Sequence, residues 1–378
     1  MIDKRILFNL NTFPIVGNTV PLLEKMSYWQ QNGYEVTIFA SGELAKMLNA
    51  TRSGSAFKSI EIVSRFESTN KIRFMIECLR RNLVSIGYLR RIEEEKFPIV
   101  YTISSVLDLI FIPLVLKMRK NKFIWLTVFD NTVPLSGAGN KIIRFLNWFF
   151  FIISSLLIRK ADRIFAPSDN VLAYLKEKKF SPTQIVSTGN GVEIEMIQKA
   201  KTISDLEIDA LYIGRIHEAK GIYELLRVLG LVVERFPNFK LGIMGDGESE
   251  TVRKFNSKIQ EMNLANNILF LGYKSGQGKY DIIKSSKCFW FFSESEGFPQ
   301  ALMEAVSSGL VCFVYHLSAY DYYKNNELRV FTQKDYKSVA AAVIDLFDKR
   351  DFNNKAGRAL LENFSWEKVA QTELKSIN

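Results

Sequence analysis

The chain is short of the residues from which many active sites are built. Its 378 residues include two His, His217 and His316, and three Cys, Cys78, Cys288 and Cys312. The Cys lie far apart without metal-ligand spacing, and His is too scarce to complete a mixed set, which excludes a zinc site. A disulfide framework is excluded too. Cys288 and Cys312 fall in strand-like apolar runs and read as buried thiols of a reducing compartment. No Asp-x-Asp pair is present to hold a divalent metal. The longest uncharged apolar run, 145–158, falls short of the ~20 residues that a spanning helix needs. The N-terminus enters a strand-like run at 5–10, with no signal-peptide layout. Repeats, low-complexity tracts and coiled-coil heptads are absent. At 47 % apolar and 24 % charged, the composition is that of a globular chain, and its length suits two domains.

What is present is unevenly placed. Residues 1–200 carry 27 Lys+Arg against 17 Asp+Glu, a net of +10, whereas 201–378 carry 23 of each. No helix-turn-helix, zinc-finger or RNA-binding signature accompanies the positive charge, so nucleic acid is not the expected partner. An anionic membrane surface or an anionic lipid-linked molecule fits better. Two segments point the same way. Residues 71–91 alternate apolar and basic positions at roughly helical spacing, as a basic amphipathic helix does. The run 145–158, with Trp148 and Phe149–Phe151, reads as a core helix or as one partly buried in a membrane interface.

Short apolar runs alternate with helix-like stretches through both halves. Strands are predicted at 5–10, 35–40, 60–63, 99–103, 123–128, 163–166 and 184–187, then at 210–213, 239–244, 268–271, 288–292 and 311–315. Helices are predicted at 19–32 and 43–48, with a packed crossover helix at 104–116. The alternation predicts an α/β fold of two doubly wound, Rossmann-like parallel sheets: an N-terminal domain 1–200, a linker at about 193–206, and a C-terminal domain 201–364. Open sheets of this kind bind ligands outside the carboxyl ends of their strands.

The chemistry concentrates in the second half. Ser293-Glu294-Ser295-Glu296-Gly297-Phe298-Pro299-Gln300-Ala301-Leu302-Met303-Glu304 holds the carboxylates Glu296 and Glu304 with seven residues between them. Pro299 reads as the first residue of a helix, where its missing N–H is not needed. Glu296 then sits on the loop between a strand and that helix start, where N–H groups and the helix dipole favour a phosphate. Glu304 lies among Leu302, Met303 and Ala305, too apolar for an exposed helix. Further upstream, Ile213-Gly214-Arg215 ends a strand, and Lys220-Gly221 precedes a helix at 221–235. An Arg fork and a Lys point charge at a helix start suit a diphosphate. Met244-Gly245-Asp246-Gly247 and Leu271-Gly272-Tyr273 are two more strand-end turns. In the first half, Gly17 and Asn18 close the turn after the first strand.

Together these segments resemble the retaining glycosyltransferases of the GT-B fold, family 4 (glycosyl transferases group 1), whose signature is Glu-x7-Glu. Ala161–Ser168, Gly189-Asn190-Gly191-Val192 and Phe364-Ser365-Trp366 match further landmarks in the family's order. The resemblance is strong over 205–320 and weaker over 1–200. It implies two facing domains with the site in the cleft, and a helix at about 365–378 packing back on the first domain. It also implies a hexosyltransferase that moves sugar from a nucleotide-diphosphate donor, UDP being favoured by its frequency in such enzymes. Glu296, Arg215 and Lys220 would be the catalytic set. Gly17, Asn18, Gly214, Gly245, Tyr273, Gly297, Phe298, Pro299 and Glu304 would complete the donor site, with Glu304 on the ribose. No cofactor or metal is expected beyond the nucleotide-sugar co-substrate. The acceptor would be a glycan or lipid-linked saccharide of cell-surface polysaccharide, lipopolysaccharide or glycoconjugate assembly. The protein would be cytoplasmic, peripheral on the inner membrane face.

One departure stands out. Where many members carry His before Asp in the first domain, this chain reads Val128-Phe129-Asp130-Asn131. Asp130 and Asn131 become the acceptor-side candidates. Two other readings stay open: a sugar-nucleotide epimerase or hydrolase of the same fold, which would release nucleotide without an acceptor, and an impaired nucleotide-sugar-binding scaffold, which would bind donor without turnover.

Overall fold

The computed structural model describes residues 3–10, 19–50, 56–62, 71–130, 132–133, 135, 141–294, 296, 298–317, 328–352, 354 and 365–377. The chain divides into two compact units, Met1–Gly191 with Trp366–Asn378, and Val192–Ser365.

The first unit is built on strands β1 (Arg5–Asn9), β2 (Glu35–Ser41), β3 (Lys58–Ile62), β4 (Ile99–Thr102), β5 (Ile124–Val128), β6 (Arg163–Ala166) and β7 (Ile185–Ser187). They pair in parallel in the order β3-β2-β1-β4-β5-β6-β7. Between them run helices α1 (Thr19–Gln31), α2 (Gly42–Ala50), α3 (Lys71–Ile86), α4 (Leu89–Glu95), α5 (Leu107–Met118), α6 (Lys141–Leu157) and α7 (Asp169–Glu177). Both sheet faces are covered, so successive strand residues feed different cores. Ile6 and Phe8 pack with Leu23 and Met26 of α1, while Leu7 packs with Leu89 of α4 and Ile112 of α5. The amphipathic stretch predicted at 71–91 is two helices, interrupted at Gly87–Tyr88, where both N–H groups turn back to carbonyls of α3.

The second unit opens with α8 (Ile194–Lys199), a short helix inside the stretch read as linker. Its elements are β8 (Ile208–Ile213), α9 (Ile222–Arg235), β9 (Leu241–Met244), α10 (Ser249–Glu261), β10 (Ile268–Phe270), α11 (Gly276–Lys284), β11 (Ser286–Phe291), α12 (Gln300–Ser307), β12 (Val311–Tyr315), β13 (Leu328–Phe331) and α13 (Tyr336–Lys349). The order is β10-β9-β8-β11-β12-β13, again parallel. Strand β13 was not anticipated: Leu328-Arg329-Val330-Phe331 is a short edge strand with a charge in it, so it lacks the apolar run that marked the others. Helix α9 turns Leu225, Leu226, Leu229 and Val232 inward at helical spacing against Tyr212 and Trp290. Cys288 and Cys312 are both buried, on opposite faces of this sheet.

The last helix, α14 (Trp366–Lys375), belongs to the first unit. It packs along α1, where Glu373, fully buried, accepts from Lys25 Nζ at 2.7 Å and Tyr101 OH at 2.9 Å.

Candidate functional site

The second sheet reverses its winding between β8 and β11. From β8 the strands proceed outward through β9 to β10, and from β11 through β12 to β13. The loops leaving β8 and β11 therefore diverge and leave a crevice at the carboxyl edge. These two loops carry Arg215, Lys220 and Glu296.

They are joined by backbone bonds. Residues Glu218–Lys220 form one tight helical turn, begun by His217, whose Nδ1 accepts from the Ala219 N–H at 3.2 Å. Gly221 ends the turn at φ +72°, a conformation that side chains rarely adopt. A Cβ there would strike the Phe292 carbonyl, so the turn lies directly on the end of β11. The Ala219 carbonyl then accepts from the Glu294 N–H at 3.0 Å and the Ser293 hydroxyl at 3.3 Å. With the backbones so fixed, Lys220 Nζ donates to Glu296 Oε1 at 2.6 Å, and the Glu296 side chain is 9 % exposed. Arg215, by contrast, is exposed, and no described carboxylate pairs with it. Its carbonyl takes the Tyr212 hydroxyl at 2.8 Å, and burial, followed by the Glu296 charge, drives that phenol's pKa upward. An unpaired Arg and a Lys held by one carboxylate oxygen are groups that a diphosphate can recruit.

The other predicted donor positions surround this edge. Gly245, at φ +149°, sits against the Gly214 carbonyl so closely that a Cβ would collide with it, and its N–H donates to Gly272 O at 3.0 Å. The turns after β8, β9 and β10 are thus tied in series. Tyr273, beyond Gly272, is exposed. Glu304 lies inside α12 and is buried. Its Oε1 accepts from Lys279 Nζ at 2.8 Å, Tyr280 OH at 3.2 Å and Gln300 Nε2 at 3.4 Å, while no described group bonds Oε2. The two carboxylates share one layout: one oxygen is tied to a Lys, and no described group bonds the other. Burial and the Glu304 charge push the Tyr280 pKa up, so the phenol stays a donor.

Pro299 precedes α12 rather than opening it. Its φ of −82° and ψ of 75° are non-helical, and its carbonyl accepts from the Met303 N–H at 3.0 Å. The preceding strand ends at Phe291, so Phe292 and Ser293 belong to the loop. Phe298 and Pro299 lie in that loop, Pro299 buried. Gly17, Asn18, Asn131 and Gly297 lie outside the described residues. Lys279 and Tyr280 were missed. They come from α11, and no local spacing links them to Glu304. Gln300, four residues before Glu304 on one helix face, could have been found.

In the first unit, Phe129 is fully buried, edge-on to Phe151 at 5.8 Å and stacked on Tyr174 at 5.6 Å. It belongs to the core and offers no site group. Asp130, the next residue, is open to solvent at the end of β5. Desolvation by neighbouring protein raises its pKa to about 6, against a Ser104 hydrogen bond and the Lys25 charge, which lower it. Water reaching the residue screens part of that lift.

The fold defines a two-unit architecture of parallel, doubly wound sheets. Comparison with known proteins places it more closely. A family model described as "Glycosyl transferases group 1" matches residues 193–360, and one described as "Glycosyltransferase Family 4" matches 22–196. The chain belongs to the group 1 glycosyltransferases of GT-B fold. It is 29 % identical over 276 residues to an uncharacterized glycosyltransferase of Methanocaldococcus jannaschii, covering 68 % of this chain and 64 % of that one. It is 28 % identical over 193 residues to the UDP-Gal:alpha-D-GlcNAc-diphosphoundecaprenol alpha-1,3-galactosyltransferase of Escherichia coli, covering 47 % and 49 %. The chain thus spans about half to two thirds of the length of these curated relatives. In fold it is similar to a sucrose-phosphate synthase from Thermosynechococcus elongatus, with a TM-score of 0.78 at 16 % identity and 98 % of each chain covered.

Proposed function

We propose that this protein transfers a sugar, with retention of anomeric configuration, from a nucleotide-diphosphate sugar to a lipid-linked saccharide of cell-surface glycan assembly. UDP is the favoured nucleotide. The observation that carries the reading is the Lys220–Glu296 pair at the strand-order reversal, beside Arg215, with which no described carboxylate pairs. Charge grows on the diphosphate as the glycosidic bond breaks, and fixed cations stabilise that charge. Arg215 and Lys220 meet it without a metal. Glu296, released from Lys220 as the phosphates take that cation, accepts from the sugar hydroxyls and steadies the cationic ring. Glu304 accepts from the ribose through its unbonded oxygen. Front-face departure, with the leaving phosphate as base, suits a site to which no nucleophile is assigned. Asp130 orients the acceptor. The relative from Escherichia coli, whose name gives a UDP-sugar and a diphosphoundecaprenol acceptor, supports both substrate classes. Work at the cytoplasmic membrane face belongs to the same reading.

The test is thermal unfolding with UDP-, GDP-, ADP- and dTDP-sugars, without metal, on wild type and Lys220→Ala. Stabilisation by one nucleotide, lost in the variant, supports the site. No shift with any donor refutes it.

A further inference from the structure

The outer side of a helix layer on an α/β sheet meets water and is ordinarily polar. Helix α3 is arranged the other way. Arg81, Asn82 and Ser85 are buried, Asn82 donating to Asp108 of α5 at 3.1 Å and Ser85 to the Asn82 carbonyl at 2.6 Å. Ile76, Leu79, Leu83 and Ile86 face outward, 42–67 % exposed. Their spacing of three, four and three residues keeps them in one stripe along the helix. Helix α6 repeats the pattern with Phe145, Phe149 and Leu156, each about half exposed. Both helices pack on α5, whose last residue, Met118, is also exposed. Scattered apolar residues on a surface need no explanation, but two stripes on helices that both pack on α5 mark a surface that contacts something.

Charge says what that partner is. Residues 71–160, which span α3 to α6, carry 15 Lys+Arg against 6 Asp+Glu. This +9 is nearly the whole net charge of the chain. Arg80, beside the α3 stripe, is exposed, as are Arg90 and Arg91 just beyond it, Lys141 at the start of α6, and Arg159 and Lys160 after its end. Apolar side chains rimmed by cations match a bilayer of anionic lipid, whose interior takes the former and whose headgroups take the latter. No described helix is long and apolar enough to cross a membrane, so the contact lies in the interface plane.

We infer that the outer face of α3 and α6 lies on an anionic lipid bilayer, with Leu79, Leu83 and Phe149 entering below the headgroups. The inference rests on the proposed function only for the acceptor's location, and the two are tested apart. The full chain is sedimented with phosphatidylcholine vesicles, with or without about 30 % phosphatidylglycerol, at roughly 50 and 500 mM salt. Wild type should bind the anionic vesicles at low salt and lose several-fold in high salt. Leu79→Asp/Leu83→Asp should bind about tenfold more weakly. Both positions are exposed, and far-UV circular dichroism with a thermal melt reports whether the variant is folded. Absence of binding to anionic vesicles overturns the inference, as does equal binding by the variant. Sedimentation velocity supplies a further arm. If wild type is a dimer that the substitutions dissociate, and neither form binds vesicles, the face belongs to a second copy and the inference fails. A lost donor shift with retained vesicle binding would instead refute the transferase reading alone.

Discussion

Glu304 is a carboxylate in a nearly closed position, and Lys279 is the cation beside it. Their side chains are 6 % and 15 % exposed, with N···O at 2.8 Å. At an effective dielectric of ~20 the attraction at this distance is about 6 kcal/mol before desolvation. Most of it offsets the cost of removing both charges from water, so the net value of the pair is small. Breaking it is another matter, because Lys279→Met leaves the carboxylate buried without a cation. Such losses run at about 3–5 kcal/mol for a fully buried pair. Here Tyr280 and Gln300 still donate, so about 2–3 kcal/mol is expected, equivalent to a fall of roughly 5–10 °C in the melting of this unit. Glu304→Gln in the same chain removes the stranded charge and should recover all but about 1 kcal/mol of stability. The double variant should still bind donor poorly, since the amide's single oxygen, turned to Tyr280 and Gln300, leaves the ribose an N–H₂ in place of an acceptor. Calorimetry and urea melts read stability, and isothermal titration reads donor affinity. A loss under about 0.5 kcal/mol in Lys279→Met, or no recovery in the double variant, would refute the argument that burial makes this pair obligatory.

Three further outcomes follow from the same geometry. Gly221→Ala should cost about 2–4 kcal/mol, because a Cβ would collide with the Phe292 carbonyl at a positive φ, whereas Gly272→Ala, at φ +66° with open space around it, should cost only about 1; equal losses in urea melts would count against the steric account. Lys220→Ala should lower kcat/KM about 100-fold, some 3 kcal/mol of transition-state stabilisation, with the fold retained in circular dichroism, and a change under threefold would remove Lys220 from the diphosphate site. Asp130, with a folded pKa raised to about 6 from 3.8, holds its proton more tightly when folded, so its contribution to stability is complete below about pH 4 and is lost as pH rises through about 6; Asp130→Asn should flatten stability against pH across that window, and an unchanged slope would show that solvent screens the residue fully.

The parallel sheets could be read from the chain because their strands are buried on both faces. Runs such as Leu211-Tyr212-Ile213 and Cys312-Phe313-Val314 are then continuously apolar, and glycine turns mark their ends. Strand β13 escaped for the converse reason: it is an edge strand, with Arg329 inside it. The residues of the crevice that lie near Glu-x7-Glu or at strand ends were also visible, since turns at carboxyl ends of strands have a chemistry of their own. Lys279 and Tyr280 were not, because their meeting with Glu304 is made by the packing of α11 against α12, and no periodicity within either segment encodes it. The inversion of α3 lay between these cases. Its amphipathic pattern was plain, but a helical stripe does not say which side faces the sheet. Only the burial of Arg81, Asn82 and Ser85 settles that.

The return of α14 to the first unit gives the chain an order of assembly. The strands of the N-terminal sheet are all synthesised before any residue of the second unit, but the helix that covers α1 follows only after Val192–Ser365. At about 5–20 residues per second, the first unit waits on the order of ten seconds or more for its final piece. Throughout that interval Lys25 and Tyr101 lack Glu373, and the flank of α1 that α14 will cover is open to solvent. A newly made chain is therefore sticky at one known place until α14 is made. That place is where a holding chaperone would bind, and where a prematurely terminated chain would begin to aggregate.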